Sequence, residues 1–435
     1  MSNTQVTHSV GPNNARSESS VAINPTDSNQ LVSASKKFHN ILTYDFTLAT
    51  EYSHDGGQTW NDSAALALPA GATVMTDPVL AWDDAGNVFL VGLTGKNPPT
   101  WDAIGIVIYK SSDGGVTWSA PNPIHNSASD DKQWVAGDGN PASPFHGNVY
   151  AVWDDVGGMD YARTTDNGTT WTGAGGAPAG GVIQTGGYYP EITVSDDGTV
   201  YIVSIGGSQI GMIVSSDGGD TFASAANPAS GVTTLEASLP NVDGWPEFAP
   251  GASFRVITDP SVAAFGETVL VAWPDYRDGV SRIYYARSRD GGATWRTGAS
   301  GKPLLKKHVP AKFQHFHPEI VVNPDGVFAC TFYELGPKPT NMLIDVIVAI
   351  SHDRGRSFHA HTVTDQPWDP ALDAPWAHGD PKVTFIGDYF GFAASEHGFH
   401  PVWTDTRTGI QELWTDTVSA DRPDDDDDED NDDDD

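Results

Sequence analysis

Side chains able to move protons or hold an anion recur at a few short, glycine- and proline-flanked places in this chain. Asp275, Tyr276 and Arg277 fall together in WPDYRDG, and Asp405 and Arg407 repeat the Asp-x-Arg spacing in WTDTRTG. His315 and His317 flank a phenylalanine in HFHPE, and Glu334 follows Tyr333. Lys37 and His39 stand two residues apart, while Arg16 lies two residues before, and Tyr389 directly after, an acid that opens an apolar run. His39, Tyr276, Arg277, His317, Glu334 and Arg407 are the catalytic candidates: His and Tyr to transfer protons, Glu as a carboxylate partner, Arg to neutralise an anion. Arg16, Lys37, Asp275, His315, Tyr389 and Asp405 are candidates for holding substrate. Trp101, Trp245 and Trp376 join them, because with Trp368 they are the tryptophans that strand and turn patterning leave unexplained, and an indole face can stack on a sugar. A structural reading stands beside each: a repeated Asp-x-Arg also fits a salt-bridge brace, and loop tryptophans also fit packing anchors.

Such residues need elements to hold them, and internal repeats define those elements. The pattern Ser/Thr-x-Asp-x-Gly-x-Thr/Ser-Trp/Phe occurs six times, starting at Ser53, Ser111, Thr164, Ser215, Ser288 and Ser351. Its aspartate can accept hydrogen bonds from turn N–H groups, its fifth-position glycine supplies a positive φ, and its closing ring packs on the hairpin. These aspartates read as turn structure, not as catalytic or metal-binding groups.

A second signature precedes each turn. An acid opens an apolar strand at Glu18, Asp77, Asp131, Glu191, Asp259 and Glu319, with a seventh copy at Asp388. Each unit then reads as four short strands with the boxed turn between the third and fourth, which is a propeller blade. The fold class is therefore all-β: a seven-bladed β-propeller with Asp-box turns, one domain over residues 1–420. The seventh unit lacks a box and a fourth strand. The spare run TQVTHSV (Thr4 to Val10) is expected to complete it from the amino terminus, closing the ring. Because strands alternate in direction, all the boxes mark one face. The opposite face collects the long connections, among them about 223–258, 296–318 and 359–387, and nearly all the candidate side chains. With only 23 Lys and Arg in the chain, several converging on one mouth suggest an anionic ligand. The ring of strand-opening acids reads either as a structural ring bonded to neighbouring N–H groups or as a holder of a cation, such as calcium, in the channel. No cofactor is required.

The net charge of -34 disfavours nucleic acid as a partner. Residues Asp421 to Asp435 carry twelve acids and one arginine and read as a disordered, solubilising tail. No apolar run is long enough for a membrane span. Cys330 is the single cysteine and reads as a buried apolar residue. MSNTQVTHSV is not a signal peptide. An extracellular protein whose export signal lies outside this sequence is expected, with a cytoplasmic one as the alternative, and a monomer in either case.

The boxes resemble the Asp-box (BNR) repeats of sialidases and related propellers, and GDYFGFAASEHGFHPVWTDTRTG is similar to the last unit of sialidase-like proteins. The resemblance implies a carbohydrate-active enzyme cleaving a glycosidic bond at an acidic sugar. A sialidase uses three arginines on the substrate carboxylate, for which Arg16, Arg277 and Arg407 are candidates, and a tyrosine supported by glutamate, for which Tyr389 or Tyr333 with Glu334 are candidates. The family also implies two alternatives. One is a polysaccharide lyase, with Arg277 or Lys37 neutralising a uronate and His39, His317 or Tyr276 moving protons. The other is a glycan-binding or scaffold propeller without catalysis.

Overall fold

The computed structural model describes residues 2–8, 14–98, 100–242, 244–248, 254–305, 312–337, 342–372, 375–377 and 380–421. Runs of Val, Ile, Tyr and Trp between glycine-rich turns make strands, and these assemble into seven four-stranded antiparallel blades. We letter the strands A to D from the axis outward. Blade 1 comprises Arg16–Asn24, Asp27–Asn40, Asp45–Ser53 and Asn61–Asp62; blade 2, Val74–Trp82, Val88–Lys96, Asp102–Ser111 and Asn122–Pro123. Blade 3 comprises Asp131–Gly137, Val149–Asp155, Gly158–Thr164 and Gly181–Gln184; blade 4, Tyr188–Val194, Val200–Gly206, Gln209–Ser215 and Ala223–Ser224. Blade 5 comprises Ser261–Phe265, Thr268–Asp275, Arg282–Ser288 and Lys302–Pro303; blade 6, Gln314–Val322, Phe328–Pro337, Met342–Ser351 and His359–Thr362. Blade 7 has Gly391–Ala394, Gly398–Asp405 and Glu412–Thr415 as A to C, and Thr4–Gln5 as D. Among the described residues no helix is long and apolar enough to cross a membrane.

The amino terminus closes the ring as the sequence predicts. Thr4 pairs with Thr415 and Gln5 with Trp414. Beyond the ladder, Val6 N–H donates to Leu413 O at 2.8 Å and Leu413 N–H donates to Thr7 Oγ1 at 2.9 Å. Val6 is fully buried with Leu413, Val402 and Ala393 of blade 7 and Val21, Leu31 and Trp60 of blade 1, so the strand joins two blades and not one. Val10 lies outside the described residues, as does the tail beyond Asp421.

All six boxes are C–D turns. In the first, Gly57 N–H donates to Ser53 Oγ at 2.9 Å, and Thr59 donates to Asp55 through its N–H at 2.9 Å and its hydroxyl at 2.5 Å. The same bonds hold Asp290 down to about 2, with the Thr294 hydroxyl and N–H and the Ser288 hydroxyl as donors. The closing rings tie neighbouring blades: Trp118 Nε1–H of blade 2 donates to Thr50 of blade 1, and Trp295 Nε1–H of blade 5 to Ala226 O beside blade 4. The boxes are therefore turn structure. Cys330 is buried in the core between blades 5 and 6.

Candidate functional site

The A strands pack around the axis, and most of them begin with a fault. In five blades the A–B register slips near the start of A, between Ser17 and Ser20, Thr76 and Val79, Asp131 and Trp134, Tyr188 and Glu191, and Phe316 and Glu319. Each slip holds one left-handed residue: Glu18 (φ 52), Asp77 (φ 56), Lys132 (φ 43), Tyr189 (φ 53) and His317 (φ 48). Side chains longer than glycine resist this backbone, at a cost of about 1–3 kcal/mol per residue. The strand-opening acids do not share one register, as the sequence suggests they should. Glu18 and Asp77 occupy the bulge, Asp131 precedes it, Glu191 and Glu319 follow it, and Lys132, Tyr189 and His317 fill it in blades 3, 4 and 6. A period of roughly 60 residues conceals shifts of one or two.

The bulges gather a dense set of ionisable groups. Thr76 Oγ1 lies 2.7 Å from Glu18 Oε2 and 2.8 Å from Asp77 Oδ1. Ser261 Oγ lies 2.7 Å from Glu191 Oε1 and 3.0 Å from Glu319 Oε2. A hydroxyl has one proton to give, so each second contact is satisfied by a proton on a carboxyl group. Burial favours that proton: it raises Glu18 and Glu191 to about 8, and Glu319 well above its ordinary value. Two of the acids also take neighbouring N–H groups, Glu191 from Val262 at 2.7 Å and Glu18 from Asp77 at 3.4 Å, and so latch successive A strands together.

The positive charge comes from three buried residues. Lys132 Nζ lies 2.9 Å from Asp259 Oδ2 and feels Glu191 and Glu319 as well, so an ammonium stands among the channel carboxylates. Arg255 makes a two-pronged pair with Asp388, and its guanidinium lies over the rings of Trp245 and Phe385, at 4.3 and 4.7 Å. Lys36 points into the rings of Phe38, Tyr44, Phe46 and Phe385, nearest Phe46 at 4.0 Å. His317 is 2 % exposed, and among the described residues both its ring nitrogens are free of hydrogen bonds. Burial lowers it to about 3, against the pull of Asp388, so its imidazole is neutral. Tyr389 packs against Trp134 and under Lys132. Its hydroxyl has no hydrogen-bond partner among the described residues, and burial pushes it well above the ordinary value. Asp131 lies deep within the protein mass, yet its side chain keeps accessible surface; Asp77, Asp388 and Trp134 are half-buried.

The predicted residues divide between this cluster and other tasks. His317 and Tyr389 belong to it, and Trp245 meets it through Arg255. Asp275 accepts the Trp273 indole N–H at 3.0 Å and pairs with Arg277, whose remaining donor goes to Ser300 O at 2.9 Å. Asp405 likewise takes Trp403 and Arg407, and Arg407 also bonds Asp365 and Asn3. The Asp-x-Arg repeat is thus the brace reading of those residues. Arg16 is buried 3.6 Å from Glu51, and Lys37 pairs with it across the A–B ladder of blade 1. His39 is exposed and meets only the Thr47 hydroxyl, at 3.1 Å. His315 is buried and 3.1 Å from the half-buried Glu334; burial lowers its pKa, which Glu334 partly restores. Tyr276 packs on the core near blade 6, Trp101 stacks on Phe46 as a loop anchor, and the Trp376 side chain lies outside the described residues. Sequence reasoning missed Lys132 and Trp134 as site residues. A proline follows Asp77, Tyr189, Asp259 and His317 at the equivalent place, but Gln133 follows Lys132, so that signal marks other blades and not Lys132.

Two cavities follow the axis. One of about 270 Å³ runs along the inner strands past Trp134, Glu191 and Glu319. The other, of about 490 Å³, opens among the A–B turns on the box face. That wider mouth is not on the face the sequence favours, but Asp27, Asp138, Asp196 and Glu396 line it and no Lys, Arg or His does. An anionic sugar would be repelled there.

A BNR/Asp-box repeat model matches residues 51–62. No curated protein matches the sequence. Among solved structures, a protein of unknown function from Dyadobacter fermentans is similar at 13 % identity and TM-score 0.52, over 95 % of this chain and 97 % of its own. Trypanosoma rangeli sialidase is similar at 11 % identity and TM-score 0.48, over 94 % of this chain; the match spans just over half of that protein, 56 %. The GH93 α-L-arabinofuranosidase of Fusarium graminearum is similar at 12 % identity and TM-score 0.39, over 68 % of this chain and 94 % of its own. These likenesses concern the fold.

Proposed function

We propose that this seven-bladed Asp-box propeller, sialidase-like in architecture, is a carbohydrate-active enzyme. It cleaves a glycosidic bond at a carboxylate-bearing sugar, at the inner ends of the blades away from the boxes. The observation that carries this reading is the set of left-handed bulges. All five strained residues at this one structural position are ionisable and lie near each other's charge, a concentration typical of functional sites. Lys132 and Arg255 supply the charge that a sugar carboxylate needs. Asp131, with accessible surface, is the carboxylate placed to attack or to accept a proton. Asp259, raised to about 6 by burial although Lys132 pulls it down, takes a proton once Lys132 is drawn to the sugar carboxylate, and it then serves as the general acid. Arg277 and Arg407 are assigned to blade braces, so the anion falls to Lys132 and Arg255.

One observation favours the lyase as a second reading. His317 lies in the channel cluster with both ring nitrogens unpartnered among the described residues, so a nitrogen is open to a proton taken from beside a uronate. The two readings separate in one assay: the protein is incubated with sialosides and with uronate polysaccharides, and reducing ends and ultraviolet absorbance are followed together. Hydrolysis gives reducing ends without the band of an unsaturated uronate, and Asp131→Asn lowers the rate at least about 100-fold. Elimination gives the band, which His317→Ala abolishes. Failure to cleave or bind any acidic glycan would discard both readings.

A further inference from the structure

Trp153, Trp273 and Trp403 hold the same place in the B strands of blades 3, 5 and 7. Each indole N–H donates to a carboxylate, that of Asp130, Asp275 or Asp405. In blades 5 and 7 the chain neutralises that carboxylate itself. Arg277 and Arg407 pair with it and lie 4.3 and 4.2 Å from the ring opposite the tryptophan on strand C, Tyr284 or Trp414. Blade 3 keeps the aspartate two residues after its tryptophan, Asp155. Gly157, however, stands where the arginine would be, and Asp160 stands opposite Trp153 where the aromatic platform would be. The brace has lost its cation and gained carboxylates.

His125, from the blade 2–3 connection, completes the cluster. Its Nδ1 lies 2.8 Å from Asp130, and its Nε2 lies 3.7 Å from Asp160 Oδ2. One potential ligand atom from each of His125, Asp130, Asp155 and Asp160 lies within 4.8 Å of the others. Asp160 is 2 % exposed, and its Oδ1 has no hydrogen-bond partner among the described residues. Among the described residues no Lys or Arg pairs with any of the three carboxylates. Acids in that state are offset by a proton or by a cation from outside the chain.

We propose that these four residues form a binding site for a divalent ion of the manganese or zinc class. The imidazole nitrogen sets the site apart from all-oxygen calcium or magnesium sites, and the carboxylates suit manganese. His125 Nε2, Asp155 and Asp160 are the ligands, and Asp130 on Nδ1 fixes the tautomer and orientation of the ring. The ion ties the blade 2–3 connection to the B–C turn of blade 3. This site is independent of the cluster proposed for catalysis.

The test uses the full-length protein, freed of metal by chelation and titrated with manganese chloride. Free Mn²⁺ is counted by electron paramagnetic resonance for wild type, Asp160→Asn and His125→Ala. The acidic tail is common to all three, so its loose binding cancels. Asp160→Asn preserves shape, and thermal unfolding without metal shows that each variant is folded. Wild type should bind one ion that both variants bind at least about tenfold more weakly, and manganese should raise its Tm but not theirs. Equal binding by all three proteins would refute the site. So would equal competition by calcium, or a wild type that binds nothing while Asp160→Asn raises the metal-free Tm.

Discussion

Replacing Val6 by aspartate tests the closure on which the whole ring depends. Val6 is fully buried between blades 7 and 1, and returning such a side chain to water costs about 1.5–3 kcal/mol. An unpaired carboxylate cannot stay among Trp60, Leu31 and Val402, so the strand must leave. Its departure removes the Val6–Leu413 bond at 2.8 Å, the Leu413–Thr7 bond at 2.9 Å and the Asn3 side-chain bonds to Val363 and Asp416, both at 2.9 Å. Each contributes about 1 kcal/mol net. The total, on the order of 5 kcal/mol, is a large share of the 5–15 kcal/mol that holds a typical domain together. Differential scanning calorimetry should therefore show a Tm lower by roughly 10 °C, at about 2 °C per kcal/mol for a chain of this size. His8→Asp, at an exposed position two residues on, should leave Tm unchanged within about 1 °C. Equal effects of the two substitutions would mean that the amino-terminal strand does not seal the ring, and the argument from closure would fail.

The remaining predictions concern charge and turn geometry. Glu18, Glu191 and Asp154 are raised by burial to about 8. Their stabilising protons are fully present below pH 4 and lost as pH rises through 8, so Tm should fall between pH 5 and pH 9; a rise over that window would contradict the assignment. Below pH 4 the box aspartates act in the opposite sense, because Asp217, Asp290 and Asp353 titrate near 2 and their contribution disappears on acidification. Arg407→Met should cost about 3–5 kcal/mol by stranding the fully buried Asp405. Arg277→Met should cost less, since Arg277 is the more exposed of the two; urea titration of both variants checks the order. Gly292→Ala should destabilise by more than about 1 kcal/mol, because φ is +84° there and the new methyl group meets Met212 Cε.

The architecture was legible because it is repetitive. Six boxes with identical bonding needs fix six C–D turns, and the uneven ends of the chain make a seventh blade only when joined. The inner site was harder to read. Asp131, Glu191 and Glu319 look equivalent in sequence to Glu18 and Asp77, yet the bulges displace them, because a left-handed residue adds nothing to the apolar alternation on either side. Arg277 and Arg407 looked like a substrate clamp for the converse reason. A brace and a clamp use the same residue types at the same spacing, and only the indole donors of Trp273 and Trp403 separate them. Lys132 gave no local sign, since its partner Asp259 lies two blades away.

The protein places carboxylates beside apolar walls at many points around its axis and neutralises them in different ways. Arg277 and Arg407 act within one blade, whereas Lys132 and Arg255 reach across blades to Asp259 and Asp388. Around Thr76 and Ser261 no cation pairs directly with the carboxylates among the described residues, and protons take that role. At Asp160 neither a lysine or arginine nor a bridging hydroxyl is present among the described residues, and the proposed metal ion fills the same need. These modes of compensation respond to different variables. Proton-held pairs weaken with rising pH whatever metal is supplied, whereas a metal-held cluster strengthens with manganese and, because its ligands must be deprotonated, does so more at higher pH. Measuring Tm over pH with and without manganese, in wild type and Asp160→Asn, should therefore give a metal-dependent increment that grows with pH in wild type alone, above a metal-independent decline common to both proteins. A decline that disappeared in Asp160→Asn would place the titrating protons in blade 3 and not in the shaft.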